Sequence, residues 1–141
     1  MKTRIVLIAI IAVLAIQFTV AQVPAKKFIT EEQKIAFATK NLLKALGTAN
    51  IGVIESAMRI TAQMKMQHPT ADVSELVNVM NTVWQKHPSG STRYKAYIAV
   101  SICRNPDWYA SENTIVTANE ENFFQAASAR LQEELLSANT Q

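Results

Sequence analysis

Chemistry in this 141-residue chain would have to be built from 2 histidines, 1 cysteine and three adjacent glutamate pairs. His68 and His87 each stand immediately before a proline, and neither has a His or Cys three or four residues on. A dedicated zinc or haem site needs such spacing. The histidines are therefore expected at helix ends, where a charged imidazole meets the terminal carbonyls. Cys103 follows Ala96 and Val100 at helical spacing, as a small buried hydrophobe does. A reactive thiol needs exposure and a cationic neighbour, and Arg104 points about 100° away on a helix. Glu31-Glu32, Glu120-Glu121 and Glu133-Glu134 are sequence neighbours, so on a helix they face different directions and are no acid/base pairs. The chain carries no Gly-rich phosphate loop, no His-Glu-x-x-His and no Gly-x-Ser-x-Gly. The expectation is a protein that is not an enzyme, with no cofactor and no metal.

Two clusters could serve binding instead. Trp108-Tyr109 follows Pro106 in an irregular connection, where aromatic residues either anchor a partner or fold back over a core. Met58, Met64, Met66 and Met80 lie on two successive helical segments, and thioethers adapt to irregular partners, to apolar ligands or to core gaps. Met66 lies off the stripe shared by Met58 and Thr61, so it joins Trp108 and Tyr109 as a candidate partner-binding residue. Lys86, Arg93, Lys95 and Arg104 read as a solvated rim, with Arg93 hydrogen-bonded locally.

The elements that must position these residues are helices. The composition, 49% hydrophobic and 18% charged, fits one globular domain, and 3 Gly with 4 Pro argue against a many-turned all-β fold. Thr30-Glu31-Glu32-Gln33 is a capping box opening helix one, whose Ile35, Ala38, Leu42 and Leu46 share a stripe before Gly47, a candidate left-handed residue. Asn50 caps helix two, with Ile54, Ala57, Met58, Thr61 and Met64 on one face up to His68-Pro69. Asp72 is expected to cap helix three, where Val73, Leu76, Val77, Met80, Val83 and Trp84 keep i, i+3, i+4 spacing. After Pro88-Ser89-Gly90, Ser91 or Thr92 opens helix four, which runs to about Arg104. Asp107 to Val116 is irregular, with a helical turn around Trp108 and Tyr109. Thr117-Ala118-Asn119-Glu120 starts helix five, with Phe124, Ala127, Leu131 and Leu135 on its stripe. Helix four carries two apolar stripes, Ala96-Val100-Cys103 and Tyr94-Ile98-Ile102, and must be covered on several sides.

The first segment reads as an address. Lys2 and Arg4 precede an apolar run from Ile5 to Ile16, and Thr19-Val20-Ala21 precedes Gln22. A secretory h-region is roughly 7–15 residues, whereas a spanning helix needs about 20. The expected organisation is a signal peptide over 1–21, a linker over 22–29, a single all-helical domain over 30–137 and a frayed tail over 138–141. Cleavage removes Lys2 and Arg4, which takes the formal net charge from +3 to +1 and withdraws the electrostatic support for nucleic-acid binding. The product is expected to be periplasmic or secreted, without stable membrane insertion; an uncleaved, membrane-tethered form is the alternative.

Helix, short loop, helix occurs twice: Leu42–Leu46 with Ile54–Met58, and Leu76–Trp84 with Arg93–Tyr97. Aligning Ala57 with Ala96 gives an offset of 39 positions, from 57 to 96, close to the roughly 40–47 residues of HEAT and armadillo units. The stretch from Ser74-Glu75-Leu76-Val77 to Thr92-Arg93-Tyr94-Lys95-Ala96-Tyr97-Ile98-Ala99-Val100 resembles one HEAT repeat. Arg93 and Ala96 stand where that family carries an early second-helix Arg and a small packing residue. In the earlier unit Ile54 occupies the place of the Arg, and the frequent first-helix Pro is missing from both units. The resemblance, over about Glu32 to Arg104, implies a short α-solenoid: a right-handed stack of antiparallel helix pairs that binds another protein. A small apolar-ligand or lipid carrier using the Met-rich space is the other function the residues allow.

Overall fold

The computed structural model describes residues 30–110 and 119–139. The signal, the linker and Thr117-Ala118 lie outside the described residues. The protein is all-helical: α1 (Glu31–Leu46), α2 (Ile51–Gln67), α3 (Ser74–Lys86), α4 (Gly90–Arg104), a single 3-10 turn (Pro106–Trp108) and α5 (Glu120–Ala138). Each start has a local cause. Thr30 Oγ1 accepts the Gln33 amide (3.2 Å), Asn50 Oδ1 the Val53 amide (3.2 Å) and Asn119 Oδ1 the Asn122 amide (3.1 Å), relieving donors that the helix leaves unmatched.

Three details depart from the sequence reading. The capping position of α3 is Val73, and Asp72 stands one residue earlier, where its carboxylate accepts both the amide and the hydroxyl of Ser74 (3.0 and 2.6 Å). Those two bonds, the hydroxyl first, hold the Asp72 carboxyl below its ordinary range. Helix α4 begins earlier than expected: Ser89, not Ser91 or Thr92, caps it by accepting the Thr92 amide (3.2 Å), which leaves the Thr92 side chain free to turn inward. Gly47 ends α1 with φ −85°, so it is not in the left-handed region; its amide is shared between the Leu43 and Lys44 carbonyls.

Helix α1 packs on α2 and α3, and α4 packs on α3 and α2. Helix α5 crosses the other side of α2 and α4, with the 3-10 turn wedged among those three. This places α4 in the middle, and Ala96, Ile98, Ala99, Val100, Ile102 and Cys103 are all buried. Both apolar stripes of α4 are thus covered, apart from Tyr94 at the rim. On α5, Phe124, Ala127 and Leu131 are buried as the stripe requires, together with Phe123, whereas Leu135 is exposed and Leu136 is 69% exposed. The last turns of α5 run past the body, and the helix extends through Ala138 instead of fraying from it.

Leu76 is fully buried and Leu136 is not. Urea denaturation of Leu76→Ala should show a loss of about 2–5 kcal/mol. Leu136→Ala should stay within about 0.5 kcal/mol of the parent, as surface changes do.

Candidate interaction surface

A polar contact joins the two helix pairs. Glu55 on α2 is buried, and its carboxylate accepts the Thr92 hydroxyl (2.8 Å) and the Lys95 ammonium (2.5 Å), both on α4. A buried carboxylate is tolerated only when paired and hydrogen-bonded, and here both oxygens are engaged. The Lys95 ammonium also stands 5.5 Å from the centre of the Phe124 ring, which brings α5 into the same contact. Two further bonds fasten α5: Tyr94 to Ser128 (2.6 Å), and Arg130 Nε to the Trp108 carbonyl (2.8 Å). Arg130 is paired with Glu133 and Glu134 as well. Lys95 therefore does not belong to a solvated rim. Arg93 is bound locally, donating to the His87 and Pro88 carbonyls (2.7 and 3.1 Å).

The residues with chemical potential are placed apart. His68 and His87 are the C-terminal capping residues of α2 and α3. His87 does not donate to a carbonyl through its ring in the bond seen; its Nδ1 accepts the Ser89 amide (3.2 Å) and so shapes the α3–α4 turn. Cys103 is buried, and burial pushes its thiol from an ordinary 9.0 to about 12. Glu32, Asp72 and Glu75 edge one groove beside α1, but among the described residues no three His, Cys, Asp or Glu groups come together to hold a metal.

The three expected partner-binding residues do not form one surface. Tyr109 is fully buried, its hydroxyl 3.0 Å from Ser101 Oγ, and burial raises its phenol above the ordinary range against the opposing Ser101 bond. Met66 is buried in the same core as Met58, Met64 and Met80. Met66 lies three turns after Glu55 on the side of α2 turned to α4, and Tyr109 closes on α4 through Ser101. Neither Tyr109 nor Met66 is presented to a partner; the methionines are core side chains, and α2 and α3 pack through α1 and α4 more than on each other. Trp108 is half-buried against the core. Ala57 and Ala96, the repeat positions, are both buried.

What the fold does leave open lies elsewhere. Along the outer edge of α1 and α2 runs a groove in two adjoining parts of about 380 and 360 Å³, which share Ile60. Leu42, Ala45, Val53 and Ala57 make the first part mainly apolar; in the second, Ile35, Ala38 and Met64 stand beside Glu31, Lys34, Gln63, Gln67 and His68. Ile60 is 43% exposed and Val53 is also exposed. On the opposite pair, Trp84 and Tyr94 are exposed, and the Trp84 ring lies 5.1 Å from that of Tyr97 in a tilted pair. The sequence does hold a trace of the first surface, since Val53, Ala57, Ile60 and Met64 keep i, i+4, i+7, i+11 spacing. That stripe borders the stronger one through Ile54, Met58 and Thr61.

Comparison with known proteins gives no matching family model, no matching curated protein and no matching solved structure. Among the described residues, no helix is long and apolar enough to cross a membrane.

Two outcomes follow from the buried polar groups. Glu55→Ala strands the buried Thr92 hydroxyl and should lower the unfolding free energy by about 1–3 kcal/mol in urea. Cys103 should resist a thiol reagent at pH 8 in the folded protein and react at once in denaturant. Because only the unfolded thiol ionises between pH 9.0 and about 12, its contribution to stability falls as pH rises through that window.

Proposed function

We propose that this is an exported, non-enzymatic helical-repeat protein that acts as a protein–protein interaction module in the cell envelope or outside the cell. The observation that carries the reading is the mainly apolar part of the groove around Val53, Ala57 and Ile60, where Ile60 and Val53 are exposed although the helices beside them are packed. An aliphatic stripe open beside a packed core is surface that a partner can cover. The helix pairing supports a HEAT-like arrangement: α1 with α3 forms one layer, α2 with α4 the other, and each antiparallel pair stays together. Arg93 serves the turn between α3 and α4, and Ala57 and Ala96 lie within the packed layers. The apolar run from Ile5 to Ile16 with its preceding Lys2 and Arg4 supports export.

A photo-crosslinking residue in place of Ile60, expressed in the producing cells, tests the reading. Crosslinks to a protein, identified by mass spectrometry, are expected at Ile60 and not at exposed Lys44 on α1. Ile60 giving no protein adduct would contradict it.

A further inference from the structure

A second groove, of about 560 Å³, lies on the other side of α1, where that helix meets the α2–α3 turn and the start of α3. Ile35, Ala36, Leu43 and Ala71 give it apolar surface, and Glu32, Asp72 and Glu75 edge it with three carboxylates against one ammonium, Lys40. Ala71 is buried and Ile35 and Leu43 are half-buried, whereas all three carboxylates are exposed. Ile35 also borders the groove that holds Ile60, so the two grooves flank α1.

The acids of this groove lack a cation of their own. Lys34 is held by Glu31 (2.7 Å), and Lys65 donates to the Pro69 and Ala71 carbonyls (2.6 and 2.8 Å). Asp72 is bonded to Ser74, a neutral partner. Glu32 and Glu75 form no ion pair among the described residues. Apolar surface bordered by such carboxylates suits a short segment that carries cations next to a large apolar side chain.

A segment of that kind precedes α1 directly. Lys26-Lys27-Phe28-Ile29 runs into the Thr30 cap, and residues 22–29, outside the described residues, include two lysines and no acid. Eight residues reach at most roughly 26–29 Å. From Glu32 to Leu43 the groove follows roughly 16 Å of helix, so the segment is long enough to turn back at Thr30 and lie along all of it. Covalent attachment keeps it near the groove at an effective concentration in the millimolar range. Contacts of modest strength therefore suffice, and an unlinked peptide has to compete.

We propose that residues 24–29 dock in the α1–α3 groove of their own molecule, with Phe28 covering Ile35 and Leu43, and with Lys26 and Lys27 facing Glu32, Asp72 and Glu75. The strap fills one side of α1 and sends the chain before it away from Ile60, whether the N-terminal segment is cleaved or retained. It goes beyond the interaction-module reading and stands apart from it: an Ile60 surface with no partner would leave the strap unaffected.

Zero-length carbodiimide crosslinking of the exported protein, with its N-terminus read by mass spectrometry, tests the strap. An equal mixture of unlabelled and heavy-isotope-labelled protein separates links within a molecule from links between molecules. Lys26 or Lys27 should link to Asp72 and Glu75 within one molecule, and far less to Glu31 or Glu133, which are also exposed. The links should vanish in the double variant Lys26→Glu/Lys27→Glu and in about 1 M salt, where charges are screened beyond about 3 Å. Phe28→Ser should shift the Leu43 and Ala71 amide signals in NMR spectra and leave those of Tyr94 and Leu131 in place. These substitutions precede α1, so helical circular dichroism should not change. Links to Glu31 as frequent as those to Glu75, links only between molecules, an Ala71 signal indifferent to Phe28→Ser, or a mature N-terminus beyond Phe28 would each overturn the proposal. Links from Glu75 to a different protein in place of Lys26 and Lys27 would assign the groove to an outside peptide and overturn it as well.

Discussion

Helix α4 has to be kept from water on nearly every side, and the rest of the molecule is arranged by that requirement. Its residues from Ala96 to Val100 and on to Cys103 are buried except at two half-buried positions, Tyr97 and Ser101. A single neighbouring helix covers one stripe, so α4 needs several: α3 beside it, α2 across the layer and α5 over the outer side. The 3-10 turn supplies Tyr109, whose ring fills the remaining gap and whose hydroxyl settles on Ser101. Glu55 is buried as part of the same enclosure, and the contact it makes with Thr92 and Lys95 fixes how the second helix pair sits on the first. Apolar contacts supply most of the driving force, whereas the carboxylate supplies register, because a displaced pair would leave it unmatched in the interior.

The way α4 is covered also decides what remains open. Helix α5 lies across α2 and α4 together and holds Tyr94 through Ser128, so it closes one broad side of the molecule and leaves Val53 and Ile60 exposed. The groups with chemical potential are meanwhile occupied in shaping turns and filling space: His87 receives the Ser89 amide, Arg93 holds the preceding carbonyls, and Cys103 is a core side chain. On the reading proposed above, function rests on shape and apolar surface.

Much of the fold was legible in the sequence because the signals are local. Thr30 and Asn50 cap as their positions suggest, and the double stripe of α4 announced a helix enclosed on several sides. Boundaries slipped where two residues compete for one role. Ser89 took the cap from Ser91 and Thr92, and Thr92 was needed inward by Glu55, thirty-seven residues away in the chain. The site was less legible for a related reason. Met66 and Tyr109 lie off the obvious stripes, but whether an off-stripe residue is open depends on where α4 docks, and that is a tertiary fact. Val53 and Ile60 belong to a weaker second stripe on a helix whose stronger stripe draws the eye. Only the packing shows that Val53 and Ile60 on this second stripe stay exposed.

The account turns on α4 being enclosed by its neighbours. Native-state hydrogen exchange would test this directly. The α4 amides from Ala99 to Cys103 should exchange only through global unfolding, far more slowly than those of exposed Leu135 and Leu136. Amides of α4 exchanging as fast as those at the end of α5 would contradict it.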